Sequence, residues 1–179
     1  MIKGKKIIRN IVILVILAVF LFKMSGLYLT PLSAHESSER SIHYGPSEVL
    51  HTEDFDEGKY ILCKYDKWVS CNTVKRKMFF FWRFGNQPTG FENDKNKAID
   101  FSWGITQGRH RCYGIINDNQ IKRVQATLES GRVFEITEFY DDLFLFAWET
   151  DMEADDHLVN MKGYDAGGTI IFEYNQDTY

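Results

Sequence analysis

The segment Arg109-His110-Arg111-Cys112 contains a nucleophile, a base and two cations, the side chains that a cysteine-dependent enzyme would use. Such a nucleophile needs an imidazole within hydrogen-bond reach of its sulfur atom. On an extended strand, residues 110 and 112 point to the same face but stand about 7 Å apart. No oxyanion-type glycine turn and no third orienting residue lies nearby in the sequence. We therefore predict no catalytic residue here, and no other segment carries a stronger pattern.

Asp151, Glu153 and Asp155 occupy alternate positions, as ligands 1, 3 and 5 of a calcium-binding loop do. Position 6, where such a loop needs glycine, is Asp156, and position 12, where it needs glutamate, is Lys162. The pattern excludes an EF-hand and leaves two alternatives, a weak irregular calcium site or a solvated acidic loop. Apart from this weak set we predict no metal site and no cofactor.

Cys63 and Cys71 lie on the two arms of a predicted hairpin and are candidates for a disulfide. A three-residue loop, Asp66–Trp68, would place the two sulfur atoms opposite each other. A two-residue loop, Asp66-Lys67, would direct Cys71 to the other face and prevent the bond. Buried, unpaired thiols are the alternative to a disulfide, and Cys112 is the odd thiol in either case.

The charges of the chain are distributed unevenly. The sequence has 21 Lys and Arg residues against 25 Asp and Glu residues, and five of the cations lie in the first 29 residues, which contain no acid. From Glu129 onward, 13 acids face two bases. Because nucleic-acid binding requires a basic surface, this acidic half argues against a nucleic-acid partner. The acidic half has two possible roles. It binds a cationic protein or peptide through a surface formed by Asp151, Glu153, Asp155 and Asp156, or its charge serves solubility alone.

The elements that would position these residues begin with a membrane segment. Residues 11–22 are an uninterrupted apolar run, preceded by Lys3, Lys5, Lys6 and Arg9. This asymmetry places the N-terminus in the cytoplasm and the remainder outside the cell membrane. A run of twelve suits a signal peptide, whereas a span from residue 11 to residue 29 suits a single-pass anchor. The cleavage candidate Leu32-Ser33-Ala34 has leucine at −3, which favours an uncleaved signal-anchor.

After the anchor (residues 1–29), residues 30–44 are polar and rich in serine, as in a stalk. Residues 45–179 are predicted to form one exported β domain, or two packed lobes at about 45–105 and 110–176. One short helix is predicted at Ser47–Asp54. Short strands separated by turns every eight to twelve residues predict a mainly β, antiparallel, sandwich-like fold.

Two apolar patterns indicate which faces of these strands are buried. Met78–Phe84 is a nearly continuous apolar run, which predicts a buried strand, with an exposed binding platform as the alternative. Two alternating sets predict one buried face each. These sets are Ile99, Phe101, Trp103 and Ile105, and Phe144, Phe146 and Trp148.

Several segments resemble a known group of proteins. Gly58–Asp66, Phe81-Trp82 and Tyr113–Val124 resemble membrane-anchored exported proteins of Gram-positive bacteria, a family without an assigned activity. The segment Gly163–Ile170 is similar to the close of small immunoglobulin-like extracytoplasmic domains. The resemblance implies a β-sandwich body outside the membrane and implies nothing about chemistry.

These observations predict a membrane-anchored extracytoplasmic protein whose body is a non-catalytic binding or interaction module. An exported hydrolase and an accessory subunit of a membrane complex are the alternatives. An enzyme would have a cleft with converging titratable groups, whereas an interaction module would present a flat apolar patch.

Overall fold

The computed structural model describes residues 2–85, 90–106, 109–149 and 156–176. Within these ranges the chain forms two α-helices and twelve β-strands. The helices are α1 (Ile2–Met24) and α2 (Pro31–Ser41). The strands are β1 (Glu48–Phe55), β2 (Gly58–Tyr65), β3 (Trp68–Lys77), β4 (Phe81–Phe84), β5 (Phe91–Glu92), β6 (Ile99–Thr106), β7 (Arg109–Ile116), β8 (Arg123–Leu128), β9 (Val133–Ile136), β10 (Leu143–Glu149), β11 (Leu158–Tyr164) and β12 (Ile170–Asn175).

Helix α1 contains the apolar run, and its segment Gly4–Met24 is long and apolar enough to cross a membrane. None of that segment is buried against the body. A helix with an exposed apolar surface over its whole length is stable in a membrane rather than in water. The helix therefore has the properties of a membrane anchor or a signal sequence.

The predicted stalk is wrong for most of its length, because residues 31–41 form helix α2. Thr30 caps this helix: its side chain accepts a hydrogen bond from Ser33 N, and Pro31 occupies the first turn. Thr-Pro is a typical start of a helix, because the proline ring presets a helical φ where no amide donor is needed. One face of α2 is buried, although it is built mainly from polar residues: Ala34, His35, Ser38 and Glu39.

The short helix predicted at Ser47–Asp54 is also wrong, because Glu48–Phe55 is strand β1. It pairs antiparallel with β2, and Phe55 faces Gly58 across the two-residue turn Asp56-Glu57. Asp56-Glu57 therefore closes a hairpin. Pairing with β2 over the whole strand outweighs the weak local helix signal.

The strands form three antiparallel sheets, which confirms the predicted mainly β, antiparallel fold. Sheet A has the order β1-β2-β3-β4, with β5 paired to β3; sheet B has the order β10-β7-β6; sheet C has the order β12-β11-β8-β9. Strands β6 and β7 are hydrogen-bonded neighbours in sheet B. A division into lobes between residues 105 and 110 would cut this hairpin, so the structure does not support that division.

Sheet B lies between the other two sheets and has both faces covered. One face, with Tyr113 and Leu145, packs on Leu62 and Val69 of sheet A. The other face packs on sheet C, and its members include Phe144, Phe146 and Trp148, as predicted. Burial on both faces explains why β10 is an almost continuous apolar run instead of an alternating one.

Helix α2 covers the outer face of sheet A. Ala34 packs there with Ile61, Cys63, Val74 and Trp82. The layers of the body are therefore helix α2, sheet A, sheet B and sheet C. Tyr60 and Leu62 form the face of β2 toward sheet B, and Ile61 and Cys63 form the face toward α2.

Two segments that were predicted to be buried are exposed at one end, namely the alternating set on β6 and the apolar run Met78–Phe84. On edge strand β6, Ile99 is buried in the core, but Trp103 is 39% exposed and Ile105 is also exposed. These two residues continue the alternation beyond the part of the strand that packs on sheet C. The predicted strand Met78–Phe84 is shorter, because residues 78–80 form an exposed turn before β4.

Candidate functional site

A cavity of about 720 Å³ lies between helix α2 and the segment that leads into β1. Its lining combines polar and apolar residues from both elements: Leu32, His35, Glu36, Glu39, Arg40, His43, Tyr44, Gly45, Pro46, Ser47 and Val49. His35 and Glu39 are one helical turn apart, so both side chains lie on the buried face of α2. They connect the cavity to the interior of the protein.

Three potential metal ligands converge at the inner side of this cavity. His35 Nε2 lies 3.3 Å from Glu39 Oε1 and 3.8 Å from Cys63 Sγ. One donor atom from each of the three residues lies within 4.8 Å of the others, and all three residues are buried. Cys63 comes from β2, whose inward alternation directs residues 61 and 63 toward α2. The cluster therefore forms only when the helix packs on the sheet.

These separations suit a tetrahedral centre. With ordinary zinc–ligand bond lengths, tetrahedral geometry separates a nitrogen donor from an oxygen donor by about 3.4 Å, and a nitrogen donor from a sulfur donor by about 3.6 Å. The observed distances, 3.3 Å for His35 to Glu39 and 3.8 Å for His35 to Cys63, lie close to both values. Imidazole, thiolate and carboxylate together form a ligand set that favours zinc over calcium or magnesium.

A second layer of polar side chains holds the three donors. Ser47 donates hydrogen bonds to Glu39 through its backbone N, at 3.2 Å, and through its hydroxyl. Ser70, which is paired with Cys63 across β2 and β3, donates from Oγ to the Cys63 sulfur at 3.5 Å. Such contacts orient metal ligands and are a regular feature of metal sites.

Asn72 contacts the other ring nitrogen of His35. Its Nδ2 lies 2.9 Å from His35 Nδ1, and its buried Oδ1 has no hydrogen-bond partner. Amide orientation is assigned from the hydrogen-bond network, and rotation of this amide by 180° would present Oδ1 to the ring. Oδ1 would then accept a hydrogen bond from Nδ1–H, which fixes the tautomer with the proton on Nδ1 and leaves Nε2 unprotonated. That tautomer is the one in which His35 can bind a metal through Nε2.

The protonation of the cluster follows from its burial. Burial lowers the pKa of His35 below its usual value, and Glu39 and Glu36 oppose this shift only in part. A neutral imidazole is the form that binds metals. Burial likewise raises the pKa of the Cys63 thiol to about 11, with hydrogen bonds from Ser70 and Ser47 acting in the opposite direction. Without a cation the thiol is therefore protonated and is not a reactive nucleophile.

Glu39 is a carboxylate that lacks a permanent cation. No lysine or arginine of the described residues pairs with it, and its ion-pair contact is with His35. Because His35 favours its neutral form, a buried Glu39 carboxylate is left without a full positive charge. A bound divalent cation would neutralise both this carboxylate and the Cys63 thiolate.

The candidate disulfide between Cys63 and Cys71 is not formed, and all three cysteines are free and buried, which is the alternative given above. Tyr65 faces Trp68, so the hairpin has the two-residue turn Asp66-Lys67. In this register Cys71 lies opposite Leu62 and points into the core between sheets A and B. Cys63 points to the opposite face of sheet A, toward α2.

Arg109, His110 and Cys112 have different surroundings in the structure. Arg109 pairs with Glu149 and Asp56 at the surface. His110 is buried and stacks on Trp148, with ring centroids 5.2 Å apart. Cys112 lies in the core between sheets B and C, where burial raises the pKa of its thiol.

Asp156 does not belong to an exposed acidic surface, which corrects its assignment as an interaction residue. Its carboxylate accepts hydrogen bonds from Ser130 and, at 2.6 Å, from Arg132 Nη2. Burial acts to raise the pKa of Asp156, but these hydrogen bonds outweigh it and hold the pKa below its usual value. Asp151, Glu153 and Asp155 lie outside the described residues. The weak calcium site and the cationic partner therefore stay predictions.

No sequence motif predicts the cluster of His35, Glu39 and Cys63. The one signal in the sequence is the spacing of His35 and Glu39, which places both on one face only if the predicted stalk is a helix. Cys63 lies 28 residues from His35, and its position in the sequence indicates no contact between them.

No protein-family model, no curated protein and no solved structure matches the chain. The resemblance to exported proteins of Gram-positive bacteria therefore stays a prediction. The arguments for function come from the geometry of the site.

Proposed function

We propose that this protein is a membrane-anchored, non-catalytic metal-binding module on the extracytoplasmic face of the membrane. His35, Glu39 and Cys63 bind one divalent transition-metal ion, for which zinc has the best-matched chemistry. The observation that carries this proposal is the convergence of three buried donors within 4.8 Å of one another, with the distances from His35 to Glu39 and to Cys63 close to those of a tetrahedral zinc site. Helix α1, whose N-terminal part carries four cations ahead of the apolar run, supports the anchored topology with the body outside.

The burial of the donors favours a binding role over the alternative of an exported hydrolase. A hydrolytic metal site keeps an open position where water and substrate meet. Here His35 and Glu39 are 1% and 3% exposed, and Cys63 is fully buried. A fourth ligand on the cavity side would complete the coordination without opening the metal to a large substrate.

Metal content of the purified full-length chain tests the site. The chain is isolated in detergent, stripped with a chelator, re-exposed to zinc and analysed by inductively coupled plasma mass spectrometry. We expect one zinc per chain, and a loss of at least a hundredfold in affinity for Cys63→Ser. Cys71→Ser is the matched control, because it removes a buried thiol from the same hairpin on the opposite face of the sheet.

Cobalt provides a readout that does not depend on stoichiometry. Cobalt bound through Cys63 gives a thiolate-to-metal charge-transfer absorption, which should be absent in Cys63→Ser and present in Cys71→Ser. Substoichiometric zinc in the wild type, or equal affinity in the two variants, would overturn the metal-site proposal.

The anchored topology has its own test. The protein should remain in membranes after alkaline carbonate extraction, and protease added to intact protoplasts should digest the body. A shortened, soluble form in the medium would show that α1 is a cleaved secretion signal instead.

A further inference from the structure

The turn between β3 and β4 exposes three large apolar side chains. Met78, Phe79 and Phe80 are 71%, 95% and 63% exposed. Met78 and Phe79 have positive φ angles of 49° and 64°, a conformation for which hairpin turns ordinarily use asparagine or glycine. The turn therefore combines backbone strain with exposure of apolar surface, a combination that marks functional segments. We call residues 78–80 the aromatic tip.

The aromatic tip is attached to the end of helix α1. Tyr28, shortly after α1, and Trp82 of β4 exchange two backbone hydrogen bonds of 2.8 and 2.7 Å. The ring of Phe81 contacts the ring of Phe22 in the last turn of α1, with centroids 5.5 Å apart. The position of the hairpin relative to α1 is thus fixed by both backbone and side-chain contacts.

These contacts set the depth of the aromatic tip. Phe22 is the last residue of the apolar run, so a ring packed against it lies at the same level of the bilayer. Trp82 pairs with Tyr28, which follows the end of α1, whereas the preceding residue, Phe81, contacts Phe22 inside α1. Going backward along β4 from Trp82 to Phe81 therefore leads toward the bilayer. Phe80 precedes Phe81 at the end of the turn, and the centroids of their two rings are 4.4 Å apart. The tip points toward the bilayer whichever side of the membrane the body occupies.

Cations surround the aromatic tip. Residues 75–85 include four Lys and Arg residues and no acid. Arg76 and Lys77 precede the tip and are exposed, Arg83 follows it, and Lys23 lies at the end of α1. Arg76 lies over the ring of Trp82, 5.2 Å from its centroid. Apolar and aromatic side chains flanked by cations match the boundary between acyl chains and anionic headgroups.

We propose that the aromatic tip inserts into the membrane surface beside α1, with the surrounding cations bound to anionic phospholipid headgroups. This contact rests on the proposed membrane anchor and is independent of the metal site. It gives the body a second point of attachment, so that the body lies in a fixed orientation against the bilayer instead of turning freely about the end of α1.

Spin-label depth measurements test the proposal on the full-length chain in phosphatidylcholine–phosphatidylglycerol vesicles. A nitroxide is attached to Phe79→Cys, or to Val133→Cys as the control. Val133 is 54% exposed on β9 of sheet C, the sheet farthest from α2 in the stack of layers. The three native cysteines are buried, and the chain without an introduced cysteine gives the background labelling.

We expect the ratio of oxygen to water-soluble nickel accessibility to be several times higher at position 79 than at position 133. The label at position 79 should also become more accessible to nickel when phosphatidylglycerol is omitted. The proposal is overturned if the label at position 79 is as accessible to nickel as the label at position 133. This result would overturn membrane insertion even if a protein partner covers the tip in cells. Carbonate extraction of the same vesicles separates the two failures: a retained chain with a water-exposed tip leaves the anchor intact, whereas an extracted chain refutes the anchor.

Discussion

His35 Nε2 lies 3.8 Å from Cys63 Sγ, although 28 residues separate the two in the chain. The contact joins a helix to the sheet on which it packs, and Glu39 and Asn72 reach the same imidazole from opposite sides. This relationship makes the proposed metal binding, the packing of α2 and the protonation of a thiol dependent on one another.

Replacement of Asn72 by alanine should weaken zinc binding tenfold to a hundredfold, because the amide that orients His35 is removed. Asn160→Ala is the control, since Asn160 also makes side-chain hydrogen bonds but lies on sheet C. The affinities are measured by competition with a chromophoric chelator. Equal affinities of the two variants would show that Asn72 does not orient the metal ligand.

Replacement of Gly45 by alanine should crowd the Glu39 carboxylate, because an added Cβ would lie 2.6 Å from Glu39 Oε2. Gly45 has a φ of +87°, so the substitution also strains the backbone. Gly168→Ala carries the same backbone strain, with a φ of +84°, but its Cβ would meet nothing within 4 Å. We expect both variants to lose about 1 kcal/mol of stability. Zinc affinity should fall in Gly45→Ala alone, and an equal effect on both would contradict the role of Glu39.

The metal-free protein should become less stable as the pH rises from 9 toward 11. In the unfolded chain Cys63 ionises near its ordinary pKa of 9.0, whereas in the folded protein burial raises the pKa to about 11. The folded state therefore holds the proton longer. Between the two pKa values of Cys63, each unit of increasing pH lowers the free energy of unfolding by about 1.4 kcal/mol. The contribution of Cys63 is fully present below pH 9 and is lost by about pH 11.

Denaturant unfolding of the wild type and of Cys63→Ala at pH 8, 9, 10 and 11 checks this dependence. The substitution lowers stability at every pH, but it should reduce the slope of stability against pH in this window by about 1.4 kcal/mol per unit. Parallel slopes would contradict the raised pKa. Saturating zinc should reverse the contribution of Cys63, because the metal binds the thiolate and its affinity increases with pH.

Replacement of Gly114 by alanine should destabilise sheet B, because the added Cβ would crowd both strands that flank β7. An added Cβ would lie 2.5 Å from the carbonyl oxygen of Asp100 and 2.6 Å from the ring of Phe144. We expect a loss of about 1–3 kcal/mol, as for other overpacked cores. Gly104, on the adjacent strand β6, is the control because its Cβ would meet nothing within 4 Å. Gly104→Ala should change the free energy of unfolding by no more than about 0.5 kcal/mol in the same denaturant titration.

The sequence alone predicted the features that depend on residues close together in the chain. The apolar run of α1 needs no partner to be recognised, because its composition alone suits a membrane. The shared face of Phe144, Phe146 and Trp148 follows from the two-residue period of a strand. For the same reason the antiparallel class was predictable, since short alternating segments joined by tight turns can pair with their neighbours.

Tertiary structure alone decided the features that depend on distant segments. A single residue in the length of the turn at Asp66-Lys67 determines whether Cys71 faces Cys63, and the local sequence allows both lengths. The polar segment 31–41 forms a helix with one buried face because Asn72 of sheet A and Ser47, just before β1, provide hydrogen-bond partners for His35 and Glu39. His35, Glu39 and Cys63 meet because α2 packs on β2, and no pattern within either segment encodes which face the other presents.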